Sequence, residues 1–464
     1  MHGVRPAASG WSIHTSVHAN KTLDSHRVPF SRCQPQHRSP CYQFAFYTLL
    51  CQPLSDNSLV HVGTRAQKGK DKFPRNISIP TIRDRIVLII LKEILHEEFE
   101  DRIARKPPNI YIKDIKGFLE HQDPESISWY KTDIRNFYDN INHELLLEAL
   151  HSRIEDKELI ALIKKALECP TTSLRSPRKS RECNHCGIPQ GLPISNILAA
   201  IYAESIDVGI SKIGLESLRY VDDILILTKK REKVKTFKAV GKMLRKVKLD
   251  LNKSKTSYEL AIRPLTFLGY RIFYKDKHKG AIVSVRDSSV EKLLLNLKGM
   301  FKFFEHHNNQ KIRKFPAIDE SVLEEVFISD LNEKITGAIS ESKRYGWLFF
   351  FNEINDMTLL FKLDAIVQKF FLESSKFGHL KNKVKKFVKA YYSIKFDPDK
   401  KYIHNYDNIE TYADKIKYIR YRADINPIEF DNSNTFGEEQ IDAIYNLIRQ
   451  KHLSYLDRDI GHLY

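Results

Sequence analysis

The chain has 464 residues, of which 42% are hydrophobic and 11% aromatic, so it can bury a large core and is too apolar for wholesale disorder. Its formal net charge of +17 favours a polyanionic partner, because each cation that neutralises a phosphate releases a condensed counterion. Six cysteines make no disulfide scaffold, and neither a membrane-spanning apolar run nor a secretion signal is apparent, so we expect a cytoplasmic protein.

The N-terminal stretch differs in composition from the rest of the chain. Residues 1–41 are rich in Ser, His, Pro and Arg and lack periodicity, which predicts a poorly ordered leader that could belong to a start codon placed too far upstream. A lysine-rich loop follows and leads to a predicted strand at 77–80. Apolar residues at helical spacing then predict a buried helix over 85–100.

The middle of the chain alternates strands and helices. Further helices are predicted at 143–152, 157–168, 193–212 and 232–248, with a polar loop at 169–186. Strands are predicted at 128–134, 218–221 and 224–227, and two more carry the chain to about 285. Beyond that point the pattern is helical. We therefore predict an α+β body over 42–285 and an α-helical region over 286–464.

Two adjacent carboxylates occupy the tip of the predicted hairpin. Asp222 and Asp223 interrupt the apolar segment Tyr220 to Leu227. Like charges about 4 Å apart repel by roughly 4 kcal/mol at an intermediate dielectric, and burying either carboxylate unpaired would cost more. A divalent cation resolves both problems, because hard oxygen ligands suit Mg²⁺. The competing interpretation is an exposed Asp-Asp turn.

A third acid, Asp133, ends a separate predicted strand. Two-metal phosphoryl transfer needs carboxylates from different elements that converge on one point, and Asp133 supplies such a group. Asp139 is the alternative. It falls in a turn before Asn140 and His143, where a capping or turn role is favoured.

The order and spacing of four segments resemble the palm motifs of reverse transcriptases. These segments are 133–143, 187–195 (Gly-Ile-Pro-Gln-Gly-Leu-Pro-Ile-Ser), 220–223 (Tyr-Val-Asp-Asp) and 267–270 (Phe-Leu-Gly-Tyr). The similarity is to bacterial enzymes of group II introns, retrons and antiviral defence, and it covers roughly residues 60–285. It implies an α+β right-hand polymerase with fingers, a ferredoxin-like palm and an α-helical thumb-like C-terminal region.

The resemblance also implies roles for individual residues. Asp133, Asp222 and Asp223 match the metal-binding acids, with the backbone carbonyl of Ile134 as a further ligand, for two Mg²⁺ ions or Mn²⁺ in their place. Tyr138 matches the aromatic steric gate that excludes a ribose 2′-OH and so favours dNTPs. Further matches are to nucleotide-binding positions (Arg75, Lys70, Lys72, Gln190, Gly191, Lys255) and to the primer-positioning motif (Phe267, Leu268, Gly269). For Lys255, a solvated strand lysine is an equal alternative.

The resemblance finally implies an activity and partners. We expect an RNA-directed DNA polymerase that binds dNTPs, an RNA template or noncoding RNA and a DNA product, with a homo-oligomer or companion protein as a further expectation and a role in antiphage defence. Template-independent or protein-primed DNA synthesis would use the same residues. An RNA-binding scaffold without catalysis is the alternative of another class. No zinc ribbon or His-Asn-His nuclease pattern appears near the C-terminus.

Overall fold

The computed structural model describes residues 60–65, 75–103, 106–169, 171–173, 185–276, 280–316, 318–374, 376–430 and 436–460. The predicted leader at 1–41 lies outside these ranges. None of the helices in the described part of the chain has the length and apolarity needed to span a lipid bilayer.

The first part of the described chain is α+β. Its strands are β1 Val60–Arg65, β2 Arg75–Ile79, β3 Ile127–Asp133, β4 Thr171–Ser173, β5 Glu216–Tyr220, β6 Asp223–Lys229, β7 Ser257–Leu260, β8 Leu265–Phe267, β9 Tyr270–Phe273 and β10 Ile282–Val285. Its helices are α1 Ile82–Glu98, α2 Pro108–Glu120, α3 His143–His151, α4 Lys157–Glu168, α5 Ser195–Ile210 and α6 Lys233–Lys246.

The remainder is mostly helical. It contains α7 Asp287–Lys314, α8 Glu320–Thr336, α9 Trp347–Phe350, α10 Met357–Glu373, α11 Phe387–Phe396, α12 Tyr412–Ile419 and α13 Glu438–Leu456. A three-stranded sheet interrupts the helices, and its strands are β11 Ala338–Ser340, β12 Lys343–Tyr345 and β13 His404–Asn405. This sheet was not predicted, because its strands are two or three residues long and β13 pairs with a strand some sixty residues earlier.

A four-stranded antiparallel sheet in the order β5-β6-β3-β7 forms the palm. Side chains alternate between its two faces. Trp129 of β3 and Leu225 of β6 face the core shared with the C-terminal helices, whereas Tyr130 and Ile224 face the core of α1, α3, α4 and α5. Burial on both faces explains the apolar run Ile224 to Leu227 in β6 and the buried aromatic residues Trp129 and Tyr130 in β3.

Two smaller sheets flank the palm. One has the order β2-β1-β4, in which β4 is parallel to β1, and the other is the antiparallel meander β8-β9-β10. Strand β4 lies in the segment predicted to be a loop. Its partner lies more than a hundred residues earlier, so the local sequence carries no signal for it.

The core of the meander continues into the helical region. Phe267 and Tyr270 belong to the same apolar cluster as Phe327 and Trp347, and the Tyr270 hydroxyl donates to the carbonyl of Phe350 at 2.5 Å. The boundary between the α+β body and the helical region, placed near residue 285 from the sequence, stays a prediction. The packing joins both sides of it into one core.

Candidate active site

The palm sheet brings the three predicted metal-binding acids to one end. Asp133 ends β3, and its Cα partner across the β3–β6 ladder is Asp223. Asp222 lies in the turn between β5 and β6, where its carbonyl accepts the N–H of Ile134 at 2.9 Å. Directly opposite residues in an antiparallel ladder have Cβ atoms about 5 Å apart. The carboxylates therefore converge from two strands and one turn.

The electrostatics of this cluster show that its negative charge is poorly compensated. Burial, and then the carboxylates of Asp223 and Asp133, raise the pKa of Asp222 to about 6. Burial also raises the pKa of Asp223, although Lys131 opposes the effect. Crowded, partly buried carboxylates suit a divalent cation bound by oxygen ligands. The residues present fit that ion.

An arginine braces the turn that carries Asp222. Val221 has φ +56°, a conformation that is strained for a β-branched residue and typical of functional sites. Arg219 donates to the Val221 carbonyl at 2.9 Å and forms two 2.6 Å bonds to the carboxylate of Asp207 on α5. The guanidinium thus ties the strained turn to a helix.

We expect Arg219→Lys to lower kcat of the DNA synthesis that the resemblance implies about tenfold or more, with little change in KM for nucleotide. Lysine cannot reproduce the forked contact that holds the turn, and small misplacements of a catalytic group are costly. Single-turnover kinetics measure this effect. An unchanged kcat would show that the turn holds its shape without the brace.

Two polar side chains contact Asp133 directly. The Lys255 ammonium lies 2.7 Å from Asp133 Oδ2, and the Asn252 amide donates to Oδ1 at 3.4 Å. Lys255 remains 60% exposed, so this ion pair contributes little to stability and can exchange for another anion. Lys255 therefore lies beside the acidic cluster, which is the location that the family resemblance implies for it.

Tyr138 contacts the Gly187–Ser195 loop and the helix that follows it. Tyr138 begins a short 3₁₀ turn after β3, and its hydroxyl donates to Asn196 Oδ1 at 2.9 Å. Its carbonyl accepts the N–H of Ile188 at 2.8 Å. Asp139 lies exposed in the same turn, and Asn142 is the residue that caps α3. Both the hydroxyl and the backbone of Tyr138 are thus hydrogen-bonded.

The same loop contacts strand β2. The Ser78 N–H donates to the carbonyl of Gln190 at 2.7 Å. Gly191 has φ +104°, and a Cβ there would lie 2.7 Å from Ile77 Cγ2 and 2.8 Å from the Ser78 carbonyl. Glycine is required at this position by both conformation and space. Gly191 therefore allows the loop to approach closely the strand that begins at Arg75.

We expect Gly191→Ala to lower kcat/KM for dNTP by at least about tenfold, since the methyl group must push β2 away at a cost of order 1–3 kcal/mol. Gly280→Ala is the matched control. That residue also has a positive φ, of +75°, but nothing lies within 4 Å of its added Cβ. Equal losses in the two variants would mean that backbone strain, and not contact with β2, produces the effect.

The predicted primer-positioning motif forms the turn of the β8–β9 hairpin. Leu268 has φ +48° and Gly269 φ +82°, as the tight two-residue turns of hairpins require. Lys131 of the palm sheet donates to the Thr266 carbonyl at 2.8 Å. Phe267, Leu268 and Gly269 are all buried, so the turn is anchored in the core.

Three predicted nucleotide-binding residues lie wholly or partly outside the described part of the chain. Lys70 and Lys72 lie outside the described residues. The backbone of Arg75 begins β2, opposite Arg65 of β1, and its side chain is outside the description. Sequence reasoning in turn missed Arg219 and Lys131. Arg219 directly precedes the Tyr-Val-Asp-Asp segment, and this position could have identified it. Lys131 has no local signal, because only the folded structure shows that it binds the Thr266 carbonyl.

Known proteins resemble this chain over the same region. Residues 67–272 match the family described as reverse transcriptase (RNA-dependent DNA polymerase). The group II intron-encoded protein LtrA of Lactococcus lactis subsp. cremoris is 28% identical over 144 residues, which are 30% of this chain and 23% of LtrA. Protein YkfC of Escherichia coli K12 is 24% identical over 263 residues, 47% of this chain and 68% of YkfC. The chain thus spans less than a quarter of LtrA.

Among solved structures, telomerase from Candida albicans in complex with a fragment of telomeric RNA is similar with a TM-score of 0.41. The sequences are 14% identical, and the match covers 88% of this chain and 64% of that one. A likeness this distant supports no inference about function. The family match, by contrast, includes every acid of the cluster. Residues 67–272 of this chain thus form a domain that matches the reverse transcriptase family.

Proposed function

We propose that the protein extends a DNA primer on an RNA template, and that Asp133, Asp222 and Asp223 hold the metal ions for this reaction. The observation that carries the proposal is the convergence of these carboxylates inside the matched domain, with the pKa of Asp222 raised to about 6. Two Mg²⁺ ions, or Mn²⁺, would lower the pKa of the attacking hydroxyl and neutralise the leaving group.

The chain's other residues then position the reactants. The Tyr138 ring lies beneath the sugar of the incoming dNTP, and the Gln190–Gly191 loop holds the nucleotide and template. Arg75, Lys70 and Lys72 grip the triphosphate. Lys255 moves from Asp133 to the departing pyrophosphate, where its charge stabilises the product. The Phe267–Gly269 turn positions the primer end, and the Ile134 carbonyl completes the metal site.

Primer extension tests this proposal. Three proteins are compared: the wild type, Asp222→Asn and a surface control, Asp114→Asn. Each is given a DNA primer annealed to RNA, annealed to DNA or without a template. Asp114 pairs with Lys106 at 3.4 Å, outside the acidic cluster. RNA-dependent synthesis by wild type and Asp114→Asn, absent in Asp222→Asn, supports the proposal. Synthesis that ignores the template favours untemplated or protein-primed addition. RNA binding without synthesis in all three proteins favours a scaffold.

We expect Tyr138→Val to weaken discrimination against ribonucleotides by about ten- to two-hundredfold, since a packing difference of this size is worth about 1–3 kcal/mol. The measurement is the ratio of kcat/KM for dCTP and CTP. Tyr138→Phe keeps the ring and loses only the bond to Asn196, so it should discriminate like wild type. Full discrimination by the valine variant would remove Tyr138 from the nucleotide pocket.

We further propose that the enzyme acts in the cytoplasm in bacterial antiphage defence with a bound noncoding RNA. The resemblance to defence-associated enzymes and the net charge of +17 support this role. Sequencing of RNA that co-purifies with the protein, with phage challenge of cells that carry wild type or Asp222→Asn, tests it. Equal phage sensitivity of the two strains would refute the role in defence and would leave the proposal of DNA synthesis unaffected.

A further inference from the structure

A second group of potential metal ligands lies in the helical region, away from the palm. Asp330 and Glu333 are one turn apart on α8, His404 lies in β13, and His452 lies on α13. Glu333 is buried and the His452 side chain is 11% exposed. Three elements distant in sequence thus direct a carboxylate and two imidazoles to one place.

The spacing of these atoms matches that of ligands around a single ion. Glu333 Oε2 lies 3.2 Å from His452 Nε2, and Glu333 Oε1 lies 4.0 Å from His404 Nε2. Ligand atoms of Asp330, Glu333 and His452 all lie within 4.8 Å of one another. Atoms bound about 2.1 Å from one metal are separated by roughly 3–4 Å. Only small adjustments are needed for an ion to fit between them.

Three polar atoms of this group are unsatisfied. Glu333 Oε1, His404 Nε2 and His452 Nε2 are buried and have no hydrogen-bond partner of acceptable geometry. Buried polar atoms are nearly always satisfied in native proteins, so each exception calls for an unseen partner. His452 Nε2 is close to Glu333 but not aligned with it. A cation beside the Glu333 carboxylate would satisfy Oε1 and both imidazole nitrogens.

The residues around Glu333 favour a metal site over a simple ion pair between Glu333 and the histidines. The Tyr406 hydroxyl donates to Glu333 Oε2 at 2.6 Å, as outer-shell partners of metal-binding carboxylates do. Arg422 binds Asp330 Oδ1 at 2.7 Å and so neutralises that acid. A cavity of about 330 Å³, lined among others by Glu333, His404 and Asn332, gives access from the surface.

We propose that Glu333, His404 and His452 bind a transition-metal cation of the Zn²⁺ class, with Asp330 beside it. One carboxylate and two imidazoles suit Zn²⁺, whereas Mg²⁺ takes oxygen ligands. The ion ties α8, β13 and α13 together. This site is independent of the acidic cluster and of the proposed DNA synthesis.

Metal content tests the site without any activity measurement. Five untagged full-length proteins are stripped with a chelator, incubated with Zn²⁺, desalted and analysed by elemental mass spectrometry. They are the wild type, His404→Gln, His452→Gln, Asp222→Asn and the control His379→Gln. His379 also faces a glutamate, Glu324 at 3.0 Å, but is 60% exposed. Wild type, Asp222→Asn and His379→Gln should retain one equivalent of Zn²⁺, and the other two variants less than a tenth of that.

A second readout guards against misfolding. Co²⁺ in place of Zn²⁺ should give visible absorption bands in wild type, and His404→Gln, whose imidazole is at the cavity rim, should lose them while keeping wild-type circular dichroism. Wild-type protein that retains no Zn²⁺ from micromolar solution, or equal Zn²⁺ in folded wild type and His404→Gln, would overturn the proposal.

Discussion

Asp222→Asn is expected to abolish DNA synthesis, with a loss of at least about a thousandfold, and at the same time to stabilise the metal-free protein. The rate falls because the amide cannot replace a charged metal ligand at the centre of the cluster. The stability rises because burial and the neighbouring Asp223 and Asp133 oppose ionisation of Asp222, whose pKa is raised to about 6 from 3.8. A shift of two units corresponds to about 3 kcal/mol at most.

The stabilisation has a defined pH dependence. The folded-state pKa lies above the unfolded one, so ionisation of Asp222 destabilises wild type as the pH rises from about 4 through about 6. The stability difference between Asp222→Asn and wild type should therefore be near zero at pH 4, grow up to about pH 6 and stay constant above. Thermal unfolding in the presence of a chelator measures it. A variant less stable than wild type at pH 7.5 would contradict this account.

Asp459→Asn is expected to destabilise the helical region by about 3–5 kcal/mol, the usual result of removing one partner of a buried ion pair. Lys334 Nζ lies 2.6 Å from Asp459 Oδ2, and the two side chains are 1% and 0% exposed. The same ammonium donates to the carbonyls of Tyr455 and Leu456 at the end of α13. Without the Asp459 carboxylate, the buried Lys334 ammonium would lose the counter-charge that contacts it.

Asp424→Asn is the control for this prediction. Asp424 pairs with Lys314 at 2.8 Å, but the two side chains are 78% and 54% exposed, so the loss should stay below about 1 kcal/mol. Urea unfolding together with hydrogen exchange of α13 measures both variants. Similar losses would show that burial does not set the strength of the Lys334–Asp459 pair.

The sequence predicted the elements that have local signals. The helix expected at 157–168 is observed at Lys157–Glu168, because apolar residues recur on one face and Asp156 caps its first turn. The palm strands were equally visible, since β3 and β6 are buried on both faces and end at carboxylates. The α+β fold and the match to a reverse transcriptase domain are confirmed, whereas the roles of individual residues stay predictions.

The features that escaped prediction depend on contacts between distant parts of the chain. Arg219 and Asp207 are individually unremarkable charged residues, and only the packing of α5 against β5 shows that they brace Val221. The contact between Ser78 and Gln190 joins segments more than a hundred residues apart. The group around Glu333 likewise draws on α8, β13 and α13, and no local pattern links them.

The core that joins the β8–β9 hairpin to the helical region has a consequence for biosynthesis. A chain emerges from the ribosome N-terminus first, and its early segments fold before later ones appear. Phe267 and Tyr270 share one apolar cluster with Trp347, Phe351 and residues as far along the chain as Ile460. The core around the β8–β9 hairpin is therefore complete only after nearly the whole chain has been translated. Until then the nascent palm exposes apolar surface to which chaperones can bind.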